Sequence, residues 1–168
     1  SFPWVGKISY YENAGQDANG EILLIKSSSD FLNNAQFSEN NLYPDFVDID
    51  SDDDYDLFIG DFNGLIHYFN NVGDVNSPDM KYVGSIDGID LSGYSTPEFI
   101  DIDGDEDYDL FIGNTSGTIL YYENVGDKYN FNFVLNDNNY ENINVQFRSS
   151  ILFVNIKCRL DFIISNGF

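Results

Sequence analysis

The sequence predicts an all-β fold built from repeated units of four short antiparallel strands. Two long segments of the 168-residue chain are nearly identical and lie 53 residues apart. Apolar runs of strand length, rich in β-branched and aromatic residues, recur throughout the chain, whereas helical spacing of apolar residues is absent. Clusters of Asn, Asp and Gly separate these runs, and the chain contains 21 Asn, 22 Asp and 14 Gly. These residues favour turns, so the composition agrees with many short strands.

The repeat is carried by long matching segments. The heptapeptide DYDLFIG at 54–60 recurs unchanged at 107–113, and PDFVDID at 44–50 recurs as PEFIDID at 97–103. The tetrapeptide NVGD at 71–74 also recurs at the same offset. Matching over this length indicates a structural repeat, in which each copy forms one supersecondary unit.

Two partial copies flank the complete ones. Residues 6–15 resemble 64–73, and 153–164 resemble 46–59 with two residues fewer. The predicted organisation is one β-propeller segment over 1–168, whose four parts follow the repeat. They are the end of one blade plus a connection at 1–43, full blades at 44–96 and 97–150, and the start of another blade at 151–168. Within the first part, the Asn/Ser-rich residues 16–41 are predicted to form a long connection.

Each complete unit is predicted to contain four strands. In the second unit these are 99–102, 108–112, 118–123 and roughly 129–135, with turns between them. Four strands in about 50 residues are typical of a β-propeller blade. A propeller ring needs roughly four to eight blades, so about three units form a partial propeller. Neighbouring blades would come from the rest of a longer parent chain or from other copies.

Charge narrows the range of partners. The net charge is −22, so phosphate-rich nucleic acid and anionic membrane surfaces are disfavoured, whereas cations are favoured. No apolar run approaches the ~20 residues that span a bilayer, so no membrane insertion is expected. The one cysteine, Cys158, excludes an intrachain disulfide framework.

Two acidic loops carry the chemistry that the sequence reveals. Fourteen of the 29 acidic residues lie in two windows of twelve residues, 45–56 and 98–109, where Asp alternates with other residues. Carboxylates this close repel one another unless a cation neutralises them. Ca²⁺ takes about six to eight oxygen ligands and accepts them from loop positions 1, 3, 5, 7 and 9. The predicted ligands of two calcium ions are Asp48, Asp50, Asp52, Asp54 and Asp56 in the first loop, and Asp101, Asp103, Asp105, Asp107 and Asp109 in the second. Position 7, Asp54 or Asp107, is expected to bind through its main-chain carbonyl.

The motif order resembles the FG-GAP/VCBS repeat. The resemblance rests on FVDIDxDxDxDLFIG followed by GxIxYYENxG, and it extends over nearly the whole chain. It implies blades of an integrin-α-like propeller, with calcium held in the hairpin between the first and second strands of a blade. It also implies a secreted or cell-surface protein that serves adhesion or ligand recognition.

Three departures from that family pattern affect the calcium loops. The glycine that the family has at loop position 6 is replaced by Asp53 in the first loop and by Glu106 in the second. A positive φ there would strain Glu more than Asp, and Gly104 is expected to compensate in part. In the third loop, Asn155 and Lys157 replace two ligands, so no calcium is predicted around 155–161.

Three function hypotheses follow. The first is a non-catalytic, calcium-stabilised propeller segment, and the second is a lectin-like glycan-binding propeller. The third is an accessory propeller of a larger secreted hydrolase or lyase; no Ser/His/Asp set or zinc cluster predicts an active site within these residues. His67 is predicted to be a surface strand residue, and Trp4 to serve packing. A partner protein or glycan is expected on the face opposite the calcium loops. The resemblance implies that this face carries the turns between second and third strands and the connections between blades, so the candidates are Asp61, Phe62, Asn63, Asn114, Thr115, Ser116 and the segment 91–95.

Overall fold

A computed structural model describes residues 8–26, 31–32, 41–145, 149–156 and 159–166. The described chain is all-β, and its one helical element is a single 3₁₀ turn at Tyr140–Asn142. Within the described residues, no helix has the length and apolar character that crossing a membrane requires. The strands in chain order are β1 (Tyr11–Gln16), β2 (Ile22–Lys26), β3 (Tyr43–Val47), β4 (Asp56–Gly60), β5 (Ile66–Asn71), β6 (Met80–Ser85), β7 (Ser95–Ile100), β8 (Asp109–Asn114), β9 (Ile119–Asn124), β10 (Phe133–Asp137), β11 (Ser149–Ile156) and β12 (Arg159–Asn166).

The strands form two four-stranded sheets and two hairpins, all antiparallel. Sheet A has the order β3-β4-β5-β6, and sheet B has the order β7-β8-β9-β10. The N-terminal hairpin is β1-β2, and the C-terminal hairpin is β11-β12. Each sheet is a meander in which consecutive strands are neighbours, so its two central strands have both edges paired.

The central strands are apolar because both faces of each sheet are covered. All five residues of β4 are buried. Phe58 faces a cluster shared with Phe99 and Leu110 of sheet B, whereas Leu57 and Ile59 belong to a second cluster on the other face of sheet A. A strand buried on both faces reads as a continuous apolar run rather than an alternating one, which explains the repeated DLFIG sequence.

Sheets A and B pack with their first strands close together. The first strand of sheet B, β7, contacts β3 and β4 of sheet A on one side and β11 of the C-terminal hairpin on the other. Gly60 permits this approach, since a Cβ placed there would lie 2.1 Å from the main-chain oxygen of Ser95. Gly113 has the same relation to Ser149 in the next unit. The glycine that ends DLFIG is therefore required by packing between units.

Two strand predictions were wrong. The segment 16–41 is not entirely a connection, because β2 forms within it and pairs with β1. The strand predicted at 129–135 begins later, at Phe133 in β10. The Asp127 carboxylate accepts hydrogen bonds from the N–H groups of Tyr129 and Asn130, which holds that stretch in a turn. These side-chain hydrogen bonds thus prevail over the strand that the alternating aromatic residues predicted.

Three residues singled out in the sequence lie outside the described residues, namely Trp4, Lys157 and Cys158.

Candidate metal centre

The two acidic loops occupy equivalent places in the two sheets. The first joins β3 to β4 and the second joins β7 to β8, as the repeat predicts. In each loop, three carboxylates contribute oxygen atoms that all lie within 4.8 Å of one another. These two groups are Asp48, Asp50 and Asp52 in the first loop, and Asp101, Asp103 and Asp105 in the second.

The first aspartate of each loop organises the loop backbone. The Asp48 carboxylate accepts hydrogen bonds from the N–H groups of Asp52 and Asp53, at 3.0 and 3.2 Å. Asp101 does the same in the second loop, accepting from Gly104 at 2.7 Å and from Glu106 at 3.2 Å. These bonds wrap the chain around the carboxylate and bring loop positions 3 and 5 beside it.

This wrapping requires a left-handed backbone at position 6. Asp53 has φ = 72° and Glu106 has φ = 74°. Position 4 is also left-handed, at Ser51 with φ = 55° and at Gly104 with φ = 84°. The expected need for a positive φ at position 6 is therefore met, although neither loop has glycine there.

The last two predicted ligands of each loop lie deeper than the first three. Asp54, Asp56, Asp107 and Asp109 are all buried. Asp56 accepts a 2.7 Å hydrogen bond from the N–H of Asn71, and Asp109 accepts a 2.8 Å bond from Asn124. Both carboxylates thereby connect a loop to the end of the third strand of its own sheet.

Several buried carboxylate oxygens have no hydrogen-bond partner among the described residues. Burying such an oxygen lowers the stability of the fold unless hydrogen bonds or a cation compensate for the lost hydration. In the first loop these atoms come from three aspartates, and in the second loop from one. The atoms are Asp50 Oδ1, Asp54 Oδ1, Asp56 Oδ2 and Asp107 Oδ1.

Without a metal ion, several carboxyl groups of the two loops have pKa values above the ordinary value of a carboxyl group. Burial raises the pKa of Asp56 to about 7, against an opposing hydrogen bond from Asn71. Burial and the neighbouring Asp105 carboxylate raise the pKa of Asp107 to about 6. The pKa of Asp50 is raised by burial and by the charges of Asp52 and Asp48. A bound cation would reverse these effects, because it favours the ionised form.

The donor set fits Ca²⁺. Calcium–oxygen distances of roughly 2.3–2.6 Å allow two ligands of one ion to lie up to about 5 Å apart, which the 4.8 Å spacing satisfies. All side-chain donors are carboxylates, which a hard cation prefers. The groups within 4.8 Å do not include the predicted ligands at positions 7 and 9, which are Asp54, Asp56, Asp107 and Asp109. Three of these residues nevertheless have a buried carboxylate oxygen without a partner among the described residues.

Asn71 and Asn124 are supporting residues that sequence reasoning assigned only to turns. The Asn71 side chain accepts hydrogen bonds from the N–H groups of Gly73 and Asp79, while its own N–H holds Asp56. Asn124 makes the equivalent three bonds in the second unit. The repeated NVGD tetrapeptide was the sequence feature that could have indicated this supporting role.

The third loop, around 155–161, contains residues outside the described part of the chain, so its predicted lack of calcium stays a prediction.

The predicted partner face lies at the end of the sheets opposite the acidic loops, and part of it is buried. Asp61 is 3% exposed and Ser95 is fully buried. The Ser95 hydroxyl accepts a hydrogen bond from the Asp61 N–H and donates one to the main-chain oxygen of Leu65. These two candidates therefore join sheets A and B rather than face a partner. His67 is also not a surface residue, because it lies half-buried between Asp61 and Tyr82.

Comparison of the chain with protein-family models, with curated proteins and with solved structures found no match.

Proposed function

We propose that the chain is a calcium-binding segment of a β-propeller of the FG-GAP/VCBS, integrin-α-like type. The observation that carries the proposal is the pair of equivalent acidic loops, each with three carboxylates gathered within 4.8 Å. Each loop also has at least one buried carboxylate oxygen without a partner among the described residues, and a divalent cation would compensate for it. Calcium would hold each loop between the first and second strands of its sheet.

The arrangement of the sheets supports the blade interpretation. Each complete repeat forms one four-stranded antiparallel meander, and the first strands of successive units, β3, β7 and β11, contact one another in order. Propeller blades are four-stranded sheets arranged around an axis. The stacked pair Phe58–Tyr68 recurs as Phe111–Tyr121 with ring centroids 4.7 Å apart in both, so the units share their side-chain packing.

The role proposed for the segment is non-catalytic and extracellular. The groups that the fold brings together are carboxylates suited to holding a cation, and they lie in loops that shape the sheets. Extracellular modules use calcium sites of about 10⁻⁴–10⁻³ M affinity because the ion is abundant there. Adhesion or recognition of an extracellular protein is the corresponding function for the parent protein.

Metal stoichiometry tests the proposal. We expect two calcium ions per chain by native mass spectrometry and calorimetry, falling to one in Asp50→Ala and one in Asp103→Ala. Asp87→Ala removes an exposed acid outside both loops and should still bind two. Terbium offers a second readout, since Tyr55 and Tyr108 lie within the loops and can sensitise its emission. A stoichiometry of zero, or loss of both ions in each single variant, would contradict two independent sites.

Glycan binding is the second candidate, and one cleft favours it. A cleft of about 240 Å³ beside the first acidic loop is lined by Tyr10, Phe31, Phe46 and Tyr55, among others. Aromatic faces of this kind can stack on sugar rings, and Tyr55 is exposed. A glycan array probed with the calcium-loaded chain tests this function. Binding that is lost in Tyr55→Ala would support it, and an array without signal would contradict it.

A further inference from the structure

A buried asparagine ends the third strand of each complete sheet and joins it to two other segments. The backbone N–H of Asn71 donates a 2.7 Å hydrogen bond to Asp56, and that of Asn124 donates a 2.8 Å bond to Asp109. The side-chain oxygen of each asparagine accepts two N–H groups from the turn that follows, at 3.1 and 2.8 Å in both units. Each asparagine therefore connects the acidic loop of its sheet to the turn before the fourth strand.

In the second unit, that turn carries an aromatic contact between the two sheets. Phe131 meets the ring of Tyr68 in sheet A edge-on, with centroids 5.4 Å apart, and lies 6.1 Å from the ring of Phe58. Phe133 stacks on Phe131 at 5.1 Å and so belongs to the same aromatic group. Aromatic pairs in these arrangements contribute more than the apolar area that they bury. The position of the turn therefore affects how sheet B packs on sheet A.

The first unit has the same junction but a different turn. Pro78 and Met80 take the places of Phe131 and Phe133, 53 residues earlier in the chain. Pro78 is exposed and lies on the wall of the cleft beside the first acidic loop. The two junctions are thus alike in their hydrogen bonds but differ in what the turn contacts.

Two hydrogen bonds connect the second acidic loop to the aromatic contact. Asn132 lies between Phe131 and Phe133 along the chain, and its N–H donates to the side-chain oxygen of the junction asparagine. The backbone N–H of Asn124 in turn holds the carboxylate of Asp109, the last predicted ligand of the loop. A displacement of Asp109 can therefore reach the two phenylalanines through a single intervening residue.

An amide side chain at position 124 lowers the stability of the fold in one respect. Asn124 is 4% exposed, and its Nδ2 has no hydrogen-bond partner among the described residues. A buried donor without a partner is unfavourable, and an apolar side chain would avoid that loss. An apolar side chain would also lack the oxygen that accepts the two N–H groups of the turn. Polar groups left unsatisfied in this way are typical of functional positions.

We propose that Asn124 is a positioning residue of the second calcium site and that it links occupancy of this site to the contact between sheets A and B. The proposal rests on the proposed function. In the metal-free loop the neighbouring carboxylates repel Asp109, whereas a ligated Asp109 is held in place and fixes Asn124 behind it. Such a link is reciprocal, so the packing of Phe131 on sheet A raises the calcium affinity of the second loop. The first loop has Pro78 at the equivalent place in its turn and does not affect this contact.

Hydrogen exchange at two backbone amides tests the link. The N–H groups of Asn132 and Asp79 each bond the side chain of their own junction asparagine, so each reports on one junction. At about 2 mM calcium and a Kd of ~10⁻⁴ M, exchange at Asn132 should slow by up to about 20-fold in Asp50→Ala, which keeps only the second site. It should slow much less in Asp103→Ala, and Asp79 should show the reverse order.

The comparison of the two amides separates the link from general stabilisation. Calcium that stabilised the whole chain would slow exchange at both amides equally in both variants, and that result would overturn the proposal. A parent chain that binds two ions without any change at Asn132 would overturn it as well. A parent chain that binds no calcium would contradict the proposed function instead.

Calcium affinity tests whether Asn124 positions the site or only supports the fold. In the Asp50→Ala background, calorimetry measures the second site by itself. Asn124→Ala should raise the Kd about 10–100-fold, and Asn124→Asp should recover most of that loss because it keeps the acceptor oxygen. Phe131→Leu leaves the loop and its hydrogen bonds intact but should still raise the Kd about 2-fold or more. If Asn124→Ala does not fold, Phe131→Leu measures the same link.

Tyr129→Ala is the matched control for these variants. It changes an exposed side chain of the same turn, and the backbone N–H of this residue keeps its bond to Asp127, so the Kd should not change. A purely structural role would lower the free energy of unfolding in Asn124→Ala and Phe131→Leu while leaving the Kd of both equal to that of the background. That outcome would overturn the proposal.

Discussion

Position 6 of each acidic loop carries a side chain where the backbone conformation favours glycine. Asp53 and Glu106 have nearly the same positive φ, but their chemistry differs. Asp tolerates the left-handed region better than other residues with side chains, because its short carboxylate can bond locally. Glu lacks that advantage. We therefore expect the second loop to be the more strained of the two.

Replacing Glu106 by glycine should stabilise the chain. The left-handed region costs a residue with a Cβ about 1–2 kcal/mol, and glycine loses about 0.5–1 kcal/mol more on folding, so Glu106→Gly should gain up to about 1.5 kcal/mol. Chemical denaturation with calcium present measures this gain. Glu106→Ala is the matched control, because it removes the 3.3 Å contact with Lys128 but keeps the strain. A smaller gain in the free energy of unfolding is expected for Asp53→Gly. Equal free energies of unfolding for Glu106→Gly and Glu106→Ala would contradict the strain argument.

The raised carboxyl pKa values make the metal-free chain less stable as the pH rises. The folded-state pKa values of Asp56 and Asp107, about 7 and about 6, exceed the ordinary value of 3.8. Folding therefore retains protons that the unfolded chain releases, so this contribution is fully present below about pH 4 and is lost as the pH rises through 6–7. We expect the melting temperature in metal-free buffer to fall between pH 5 and pH 8.

Calcium should change the sign of that pH dependence. A proton and calcium compete for the same carboxylates, so stabilisation by calcium should grow with pH. Asp56→Asn is the control, because it removes one raised pKa and should flatten the metal-free profile. The pKa values of Asp17 and Asp127 are lowered by backbone hydrogen bonds. These two groups therefore make the folded chain more stable as the pH rises, but this change occurs below about pH 4, outside the tested range. A metal-free melting temperature that rises from pH 5 to pH 8 would contradict the buried-carboxylate interpretation.

At the scale of elements, the contact between successive sheets depends on one glycine in each unit. Ser95 joins β7 to the turn after β4 through hydrogen bonds with Asp61 and Leu65, and Ser149 joins β11 to the next turn in the same way. The glycines Gly60 and Gly113 permit the close approach of the two backbones. The repeat thus specifies the packing between units as well as the strands within them.

Adding one methyl group at Gly60 should separate the sheets. In Gly60→Ala, the new Cβ would overlap the main-chain oxygen of Ser95, and backbone shifts of this kind cost about 1–3 kcal/mol. Denaturant unfolding should show that loss. Asn63→Ala changes an exposed residue of the adjacent turn and should stay within about 0.5 kcal/mol of the parent chain. Similar effects of the two substitutions would contradict the close-approach argument.

At the scale of the whole molecule, calcium should control stability. At about 2 mM calcium and a Kd of ~10⁻⁴ M, each site stabilises the folded chain by about 1.8 kcal/mol, or about 3.6 kcal/mol for two sites. For a chain of this size, that corresponds to a melting temperature higher by roughly 7–14 °C. We expect chelator to lower the melting temperature by this amount.

Salt and magnesium distinguish a specific site from general charge screening. Added sodium chloride should recover only part of the loss, because it screens repulsion among the acidic residues without supplying ligation. Magnesium should substitute poorly, since it demands near-octahedral geometry at shorter distances. Equal melting temperatures in calcium and chelator, or complete recovery by salt, would leave the loops without the structural role proposed for them.

Local signals predicted much of the fold. The second strand of each complete unit could be predicted from the sequence because a strand buried on both faces is a continuous apolar run. The acidic loop could be predicted because its alternating aspartates are neighbours along the chain. Strand β2 was missed because its apolar run lies among Asn and Ser residues, and its pairing with β1 is a tertiary contact. The start of β10 was misplaced because the Asp127 carboxylate bonds the backbone locally.

The sequence alone determined the repeat, the all-β class and the alternation of carboxylates in two loops. These features depend on neighbours along the chain, which a sequence displays. The tertiary structure decided which carboxylates are buried, that Asn71 and Asn124 hold two of them, and that Asp61 and Ser95 join sheets instead of facing a partner. Each of these depends on residues distant in sequence, between about 15 and 34 positions apart. Burial and pairing over such distances follow from how the sheets pack, and composition does not reveal that packing.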